Sequence, residues 1–161
     1  DMNRKYSPKD FEKSVNLIRK YFPTAGITTD VIVGFPTETD DLFEESMHFI
    51  EKIGFSGLHI FQYSKRDGTV ASKLKDLSSQ LKKQRAKRLE ELDERLRKAF
   101  IAQNKGGKVL VEEKEGDFYV GYSENYIKCY IDSDQDITNQ VIEVEFEKSY
   151  LEGEKVKIKQ N

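Results

Sequence analysis

The sequence predicts a chain of two fold classes, an α/β part followed by an all-β part that ends in a small antiparallel β-barrel. Three observations carry this reading. Apolar residues recur at helical spacing in two stretches before residue 54, each followed by a short apolar run bounded by glycine or proline. A long, highly charged helical pattern then runs from about Ser79 to Asn104. After Gly106 the helical period stops, and short alternating runs broken by Gly, Asn and Asp take over.

In chain order, Ser7-Pro8 reads as an N-cap with proline at the first helical position. Phe11, Val15, Ile18 and Phe22 recur on one face until Pro23, which predicts a helix over about 8–22. Gly26 to Val33 is the first strand, and Ile32 and Val33 have the character of a strand buried on both faces. Gly34 and Pro36 stop it. Thr37 or Thr39 caps a second helix over about 39–53, with Asp40, Asp41 and Glu44 near its positive end and Phe43, Met47, Ile50 and Ile53 as its stripe. Gly54 ends that helix. Leu58 to Tyr63 is a second strand, and Ser64 to Ala71 is a loop that turns at Asp67-Gly68. The order helix, strand, helix, strand implies parallel pairing.

The long helix places Leu81, Leu89, Leu92, Leu96 and Phe100 on one side. Lys82, Lys83, Arg85, Lys87, Arg88, Arg95, Arg97 and Lys98 decorate the rest. In the last part, Val109 and Val111 alternate with Leu110, while Phe118, Val120 and Tyr122 share one parity. Ile127, Cys129 and Ile131 share a face, as do Ile142, Val144 and Phe146, and Val156 and Ile158 alternate with Lys155, Lys157 and Lys159. These runs predict about five strands, the size of a small barrel. The expected division is 1–76, a basic closing helix or linker over 77–104, and a barrel over 105–161.

Composition sets bounds on function. Charged residues make up 35% of the 161 residues, and no apolar run is long enough to span a membrane. The start, DMNRKYSPKDFEKS, lacks the apolar segment of a secretory signal. A single cysteine, Cys129, excludes an internal disulfide and a metal site of several thiolates within this chain, and suits a reducing, cytoplasmic compartment. No metal site is expected at His48, within a helix, or at His59, within a strand. Net charge of −2 hides an asymmetry: residues 65–100 carry 12 Lys and Arg against 6 Asp and Glu, while residues 101–161 carry 8 against 13. A polyanion would be drawn mainly to the middle segment, unless those charges form an ordinary solvated helix face.

Two parallel strands do not make a stable α/β layer, which needs both faces covered and usually more strands. The sequence therefore predicts either a sheet completed from outside this chain or a marginal α/β part.

Three strings then acquire a meaning: MNRKYS at Met2–Ser7, TTDVIVGFPTET at Thr28–Thr39, and LHIFQYSKRDGTVAS from Leu58. Together they resemble the radical S-adenosylmethionine methylthiotransferases, in that family's order. HIFQYSKRDGT and GYSENYIKCYID are most similar to the branch that acts on threonylcarbamoyladenosine in tRNA. The isopentenyladenosine branch and the branch that modifies a ribosomal protein come next. Two positions depart: Thr37 stands where the family usually has Gly, and Val70 where it usually has Pro. The resemblance implies the closing part of a radical-enzyme (β/α) barrel followed by an OB-like TRAM barrel. It implies S-adenosylmethionine and two four-iron four-sulfur clusters in the full-length enzyme. The cluster cysteines are absent from this chain, so no catalytic residue is expected here and the chain alone should be inactive.

The resemblance also implies a site. Val33, Gly34 and Phe35 would line the adenosine end of the cofactor, with Phe35 alternatively a core residue. Glu38 would bond a polar edge of that site or complement the helix dipole. Asp30 interrupts an apolar strand and needs a partner or solvent. Arg4 would hold a carboxylate or phosphate, or is a surface arginine. Tyr63, Ser64 and Arg66 follow a strand's carboxyl end, where barrel enzymes keep substrate contacts. Tyr126, Lys128 and Tyr130 are read as one aromatic–basic–aromatic stripe for stacking bases, or else as a hydrated strand face, with Lys155, Lys157 and Lys159 extending the stripe or protecting an edge. The implied partners are a tRNA anticodon stem-loop and the N-terminal domains of the same polypeptide. A stand-alone RNA-binding module and a protein-binding adaptor are the competing readings.

Overall fold

The structure is a computed structural model, described here for residues 4–159. Met2 and Asn3 of the MNRKYS string lie outside the described residues. The chain divides into two compact units, residues 1–100 and 101–161.

In the first unit, α1 (Pro8–Tyr21) begins at Ser7, which forms a capping box with Asp10. Strand β1 (Thr28–Val33) leads to α2 (Asp40–Ile53), capped by Thr39, whose Oγ1 accepts from Leu42 N. Gly54 closes α2 in the left-handed conformation at φ 65°. Strand β2 (Gly57–Gln62) pairs parallel with β1 from Thr28↔Gly57 to Val33↔Gln62. A short 3₁₀ turn, Ala71–Lys73, precedes α3 (Ser79–Ala102). Val15, Val33, Phe43, Ile50, Ile53, Phe55, Leu58, Ala86, Leu89, Leu92 and Leu96 form one core.

Burial along β1 alternates instead of covering both faces: Thr28, Asp30 and Ile32 are exposed while Val33 is fully buried. The expectation of a doubly buried strand is corrected, because no described element covers the Asp30–Ile32 face. Parallel pairing puts His59 beside Asp30 and Phe61 beside Ile32 on that same exposed face. Neither β1 nor β2 has a second neighbour among the described residues.

The second unit contains β3 (Gly106–Glu115), β4 (Phe118–Ser123), β5 (Lys128–Ile131), β6 (Val141–Tyr150) and β7 (Gly153–Ile158), closed in the order β3-β4-β5-β7-β6. The barrel is not wholly antiparallel: β5 and β7 run parallel from Cys129↔Glu154 to Ile131↔Val156. Parity is the reason. Strand directions cannot alternate all the way around a ring of five, so at least one neighbouring pair must agree.

The lumen holds Val109, Val111, Tyr119, Cys129, Ile131, Ile137, Val144 and Val156. On β4, therefore, Tyr119 rather than the Phe118–Val120–Tyr122 set faces the core. Gly121 is required where β3 bulges past it, since a Cβ there would lie 2.0 Å from the Leu110 carbonyl oxygen.

Candidate functional site

Because β1 and β2 are parallel and in register, their carboxyl ends emerge side by side, the place where open α/β sheets hold ligands. Tyr63 N donates to Val33 O at 2.8 Å, which ties the two exits together. The chain leaves β1 through Gly34 at φ 78°, a conformation that favours glycine. It then turns tightly, with Glu38 N donating to Phe35 O at 2.8 Å. Within that turn the Glu38 carboxylate accepts from Gly34 N at 2.8 Å. The Phe35 ring meets the Tyr63 ring edge-on with centroids 5.3 Å apart.

Two cations of α3 support these exits. Arg85 is 3% exposed and donates to the Glu38 carboxylate and the Asp40 carboxylate, each at 2.6 Å, and to Glu38 O at 3.0 Å. Lys82 is 7% exposed, and its Nζ donates to Tyr63 O at 3.0 Å and to Asp76 at 2.7 Å. The same ammonium lies 5.2 Å from the Tyr63 ring centre. The Lys82 hydrogen bond is the main cause that lowers the pKa of the Asp76 carboxyl. The aliphatic stem of Lys82 covers Gly34, where a Cβ would come within 2.5 Å of Lys82 Cγ. The turn thus needs glycine for space as well as for its backbone angle.

The expected site residues divide. Asp30, Phe35 and Glu38 line one cavity of about 540 Å³ along the unpaired edge of β1, together with Ile32, Thr37 and Leu42, a volume within the small-molecule range. Val33 does not line it. Its side chain is fully buried in the core of the unit, and its carbonyl is engaged by Tyr63. Gly34 sits beneath Lys82. Among the described residues, no hydrogen bond or ion pair joins the side chains of Arg4, Ser64 or Arg66 to the site, and all three are exposed. Thr37 is not in the left-handed region and Val70 takes φ −61°, a value proline also adopts, so both departures from the family pattern keep an ordinary backbone.

The cavity chemistry fits an adenosine, with apolar faces from Ile32 and Phe35 and hydrogen-bonding groups from Asp30 and Thr37. The chain does not fit an iron–sulfur cluster. No group of three or more His, Cys, Asp or Glu could hold a metal among the described residues. Cys129 is buried in the barrel, donates to Ile127 O at 3.4 Å, and has its thiol pushed up to about 12 by burial.

The stripe expected at Tyr126, Lys128 and Tyr130 does not form. Tyr126 precedes β5 at φ 62° and is 85% exposed, whereas Tyr130 is 3% exposed. The positive φ breaks the strand alternation on which the stripe depended. Tyr130 packs edge-on to Phe118 and Tyr150, with ring centroids 6.3 and 4.9 Å away, as part of a small cluster outside the barrel. Lys128 is clamped by Glu115 and Glu152, which raises its pKa, and the same pairing holds Glu152 down to about 2. Tyr126 instead joins Tyr122, at 5.7 Å between ring centroids, beside a cavity of about 640 Å³ that Lys108, Leu110 and Val141 also line.

Lys155 and Lys157 of β7, and Lys159 just after it, are likewise engaged. Lys155 lies over Phe118 and Tyr150, Lys157 pairs with Glu147, and Lys159 pairs with Glu143. Nor is β7 an edge, since β5 and β6 flank it.

The basic residues of α3 divide as well. Lys82 and Arg85 are buried, Arg88 pairs with Glu44, Arg95 with Glu51, Arg97 with Asp93 and Lys98 with Glu94. Of the eight basic residues expected to decorate α3, only Lys83 and Lys87 lack an ion-pair partner among the described residues. The signal was available in the sequence. Projecting the Leu96–Leu92–Leu89 stripe back by helical steps reaches Ala86, Arg85 and Lys82, so the cations occupy core-facing positions.

Comparison with known proteins extends these observations. No protein-family model matches the chain. It is 36% identical to the threonylcarbamoyladenosine tRNA methylthiotransferase MtaB of Bacillus subtilis over 168 residues, 98% of this chain and 37% of that protein. The MtaB protein of Aquifex aeolicus is 42% identical over 130 residues, 78% of this chain and 30% of its own length. A tRNA-2-methylthio-N(6)-dimethylallyladenosine synthase of Oceanobacillus iheyensis is 39% identical over 150 residues, 89% of this chain and 29% of its own length. The chain thus spans about a third of these relatives. With the GFPTET turn and the Tyr63 exit side by side, and with this similarity running along nearly all of its length, the chain belongs to the tRNA methylthiotransferase family.

Proposed function

We propose that this chain is the C-terminal part of a cytoplasmic radical S-adenosylmethionine enzyme. That enzyme would add a methylthio group to C2 of the threonylcarbamoyl-modified adenosine beside the tRNA anticodon. The observation that carries the reading is the pair of adjacent strand exits, Gly34–Glu38 and Tyr63, in a chain that aligns to such a relative over 98% of its length. In it, Phe35 and Ile32 pack against the adenosine while Asp30 and Thr37 bond its polar edges. S-adenosylmethionine, when bound, supplies the hydrogen-abstracting and methyl-donating chemistry, with the clusters held by residues outside this chain. The unpaired edge of β1 receives a further parallel strand, which covers the exposed Ile32 and the open cavity. Residues 105–161 act as the TRAM barrel that engages the anticodon stem-loop, with Arg4, Ser64 and Arg66 on the substrate side of the first unit.

The test is the native polypeptide, isolated without oxygen. A species well above 18.7 kDa that carries iron and sulfide, and that methylthiolates threonylcarbamoyladenosine-containing tRNA, is the expected result. An iron-free chain ending at Asp1 that leaves tRNA unmodified would overturn it. A second reading, a stand-alone RNA-binding module, is favoured by closure of the barrel, which completes its own hydrogen bonding. Titration of this chain with an anticodon stem-loop across salt concentrations separates the readings from a protein-binding adaptor, because RNA binding should weaken steeply with salt.

A further inference from the structure

The two buried cations of α3 stand outside the lining of the cavity beside β1. A buried lysine and a buried arginine three residues apart are costly to desolvate, and here each bonds one strand exit and one carboxylate beyond it, Asp76 for Lys82 and Asp40 for Arg85. Arg85 grips the β1 exit twice, through the Glu38 carbonyl and through the carboxylate that also caps Gly34 N. Lys82 grips the β2 exit at Tyr63 O while its stem fills the space that a side chain at Gly34 would need. Arg85 and Lys82 lie one helical turn apart, so a rigid helix fixes the spacing between the exits.

We propose that Lys82 and Arg85 are positioning residues that hold the Gly34–Glu38 turn and Tyr63 in the shape that receives the adenosine portion of S-adenosylmethionine. The ligand half of this inference rests on the proposed function; the positioning half does not. Neither cation touches the cavity. Each acts through a backbone group or carboxylate that shapes the exits, and Lys82 also through its packing on Gly34 and the Tyr63 ring.

The test uses Lys82→Met, which keeps the stem over Gly34 and removes the ammonium, and Arg85→Lys, which keeps a charge and loses the fork. Amide hydrogen exchange is read at Gly34 and Tyr63, with Leu58, near the start of β2 and held by the Asp93 carboxylate of α3, as the internal reference. Loss of a charge-assisted hydrogen bond should speed exchange at Tyr63 in Lys82→Met, and at Gly34 in Arg85→Lys, by about tenfold relative to Leu58. In the longer native polypeptide the same variants should weaken equilibrium binding of S-adenosylmethionine by about tenfold while tRNA binding stays within about twofold. Exit amides that exchange in step with Leu58 in both variants would overturn the positioning role, since a purely structural loss loosens the whole sheet together. Loosened exits with unchanged S-adenosylmethionine binding would overturn the ligand half and leave the positioning half standing.

Discussion

In the barrel every strand has two neighbours, whereas β1 and β2 have one each among the described residues. That difference governs how each unit uses a charge-rich sequence. The barrel satisfies its backbone by closure and fills its lumen with aliphatic groups, Cys129 and Tyr119, so its ion pairs remain on the outside: Lys128 with Glu115 and Glu152, Lys157 with Glu147, Lys159 with Glu143. The two-stranded sheet cannot close. Its helices α2 and α3 are tied by the Arg88–Glu44 and Arg95–Glu51 pairs, and the more deeply buried Arg85–Glu38 pair ties α3 to the turn at the strand exit itself. The one buried charge of the barrel among the described residues, Glu154, is bonded by the Ser149 hydroxyl. The first unit instead buries Lys82 and Arg85 in ion pairs, where removing one partner costs far more than at a surface.

Substitutions can break this contrast at several depths. Tyr130→Ala should cost the barrel about 3 kcal/mol by emptying the Phe118–Tyr150 cluster. Its first-unit melting transition should stay in place when the two units are followed separately by hydrogen exchange. Equal loss in both units would show that they do not unfold independently. Arg85→Met should also cost about 3 kcal/mol, now in the first unit, because it leaves Glu38 without its buried partner. Combining it with Glu38→Gln should recover part of that loss, as read by urea unfolding. Gly121→Ala should cost the barrel about 2 kcal/mol, since the added carbon meets the Leu110 backbone instead of a flexible side chain.

Smaller effects sharpen the assignment of surfaces. Tyr126→Ala should change stability by less than about 0.5 kcal/mol, because the side chain is 85% exposed. It should weaken anticodon stem-loop binding by about fivefold, the loss of one stacked base. Undiminished RNA affinity would remove Tyr126 from the interface. The smallest effect is on acid stability. Glu152 has its pKa lowered from 4.5 to about 2, first by the Lys128 hydrogen bond. Its contribution is therefore complete above about pH 4.5 and is lost as pH falls toward 2. The barrel of Glu152→Gln should show a shallower decline over that window in an acid titration followed by circular dichroism.

Much of the backbone was legible from residue order. Ser7-Pro8, Thr39, Gly54 and Gly34 act through local sterics and nearby hydrogen bonds, so the capping positions and the β1 turn could be read one residue at a time. The barrel's strands were legible for a similar reason, since their runs alternate with period two. The pairing was not. Closing a ring of five strands forces one parallel pair, which is a property of the whole ring and of no segment in it.

The site shows the same limit. Gly34, Phe35, Glu38 and Tyr63 could be singled out as residues at strand ends, because an α/β order puts loops there. That Glu38 caps Gly34 while held by Arg85, and that Lys82 spans to Tyr63, are contacts between residues up to 47 apart in sequence. The stripe at Tyr126–Tyr130 failed for the converse reason, as alternation was assumed through a residue that a positive φ takes out of the strand. Sequence by itself determined where helices and strands begin and which residues sit at their ends, because caps, turns and periodicity are local. Only the tertiary structure decided which charges are buried, which tyrosine faces solvent and which two exits meet, because those depend on what long-range packing removes from water.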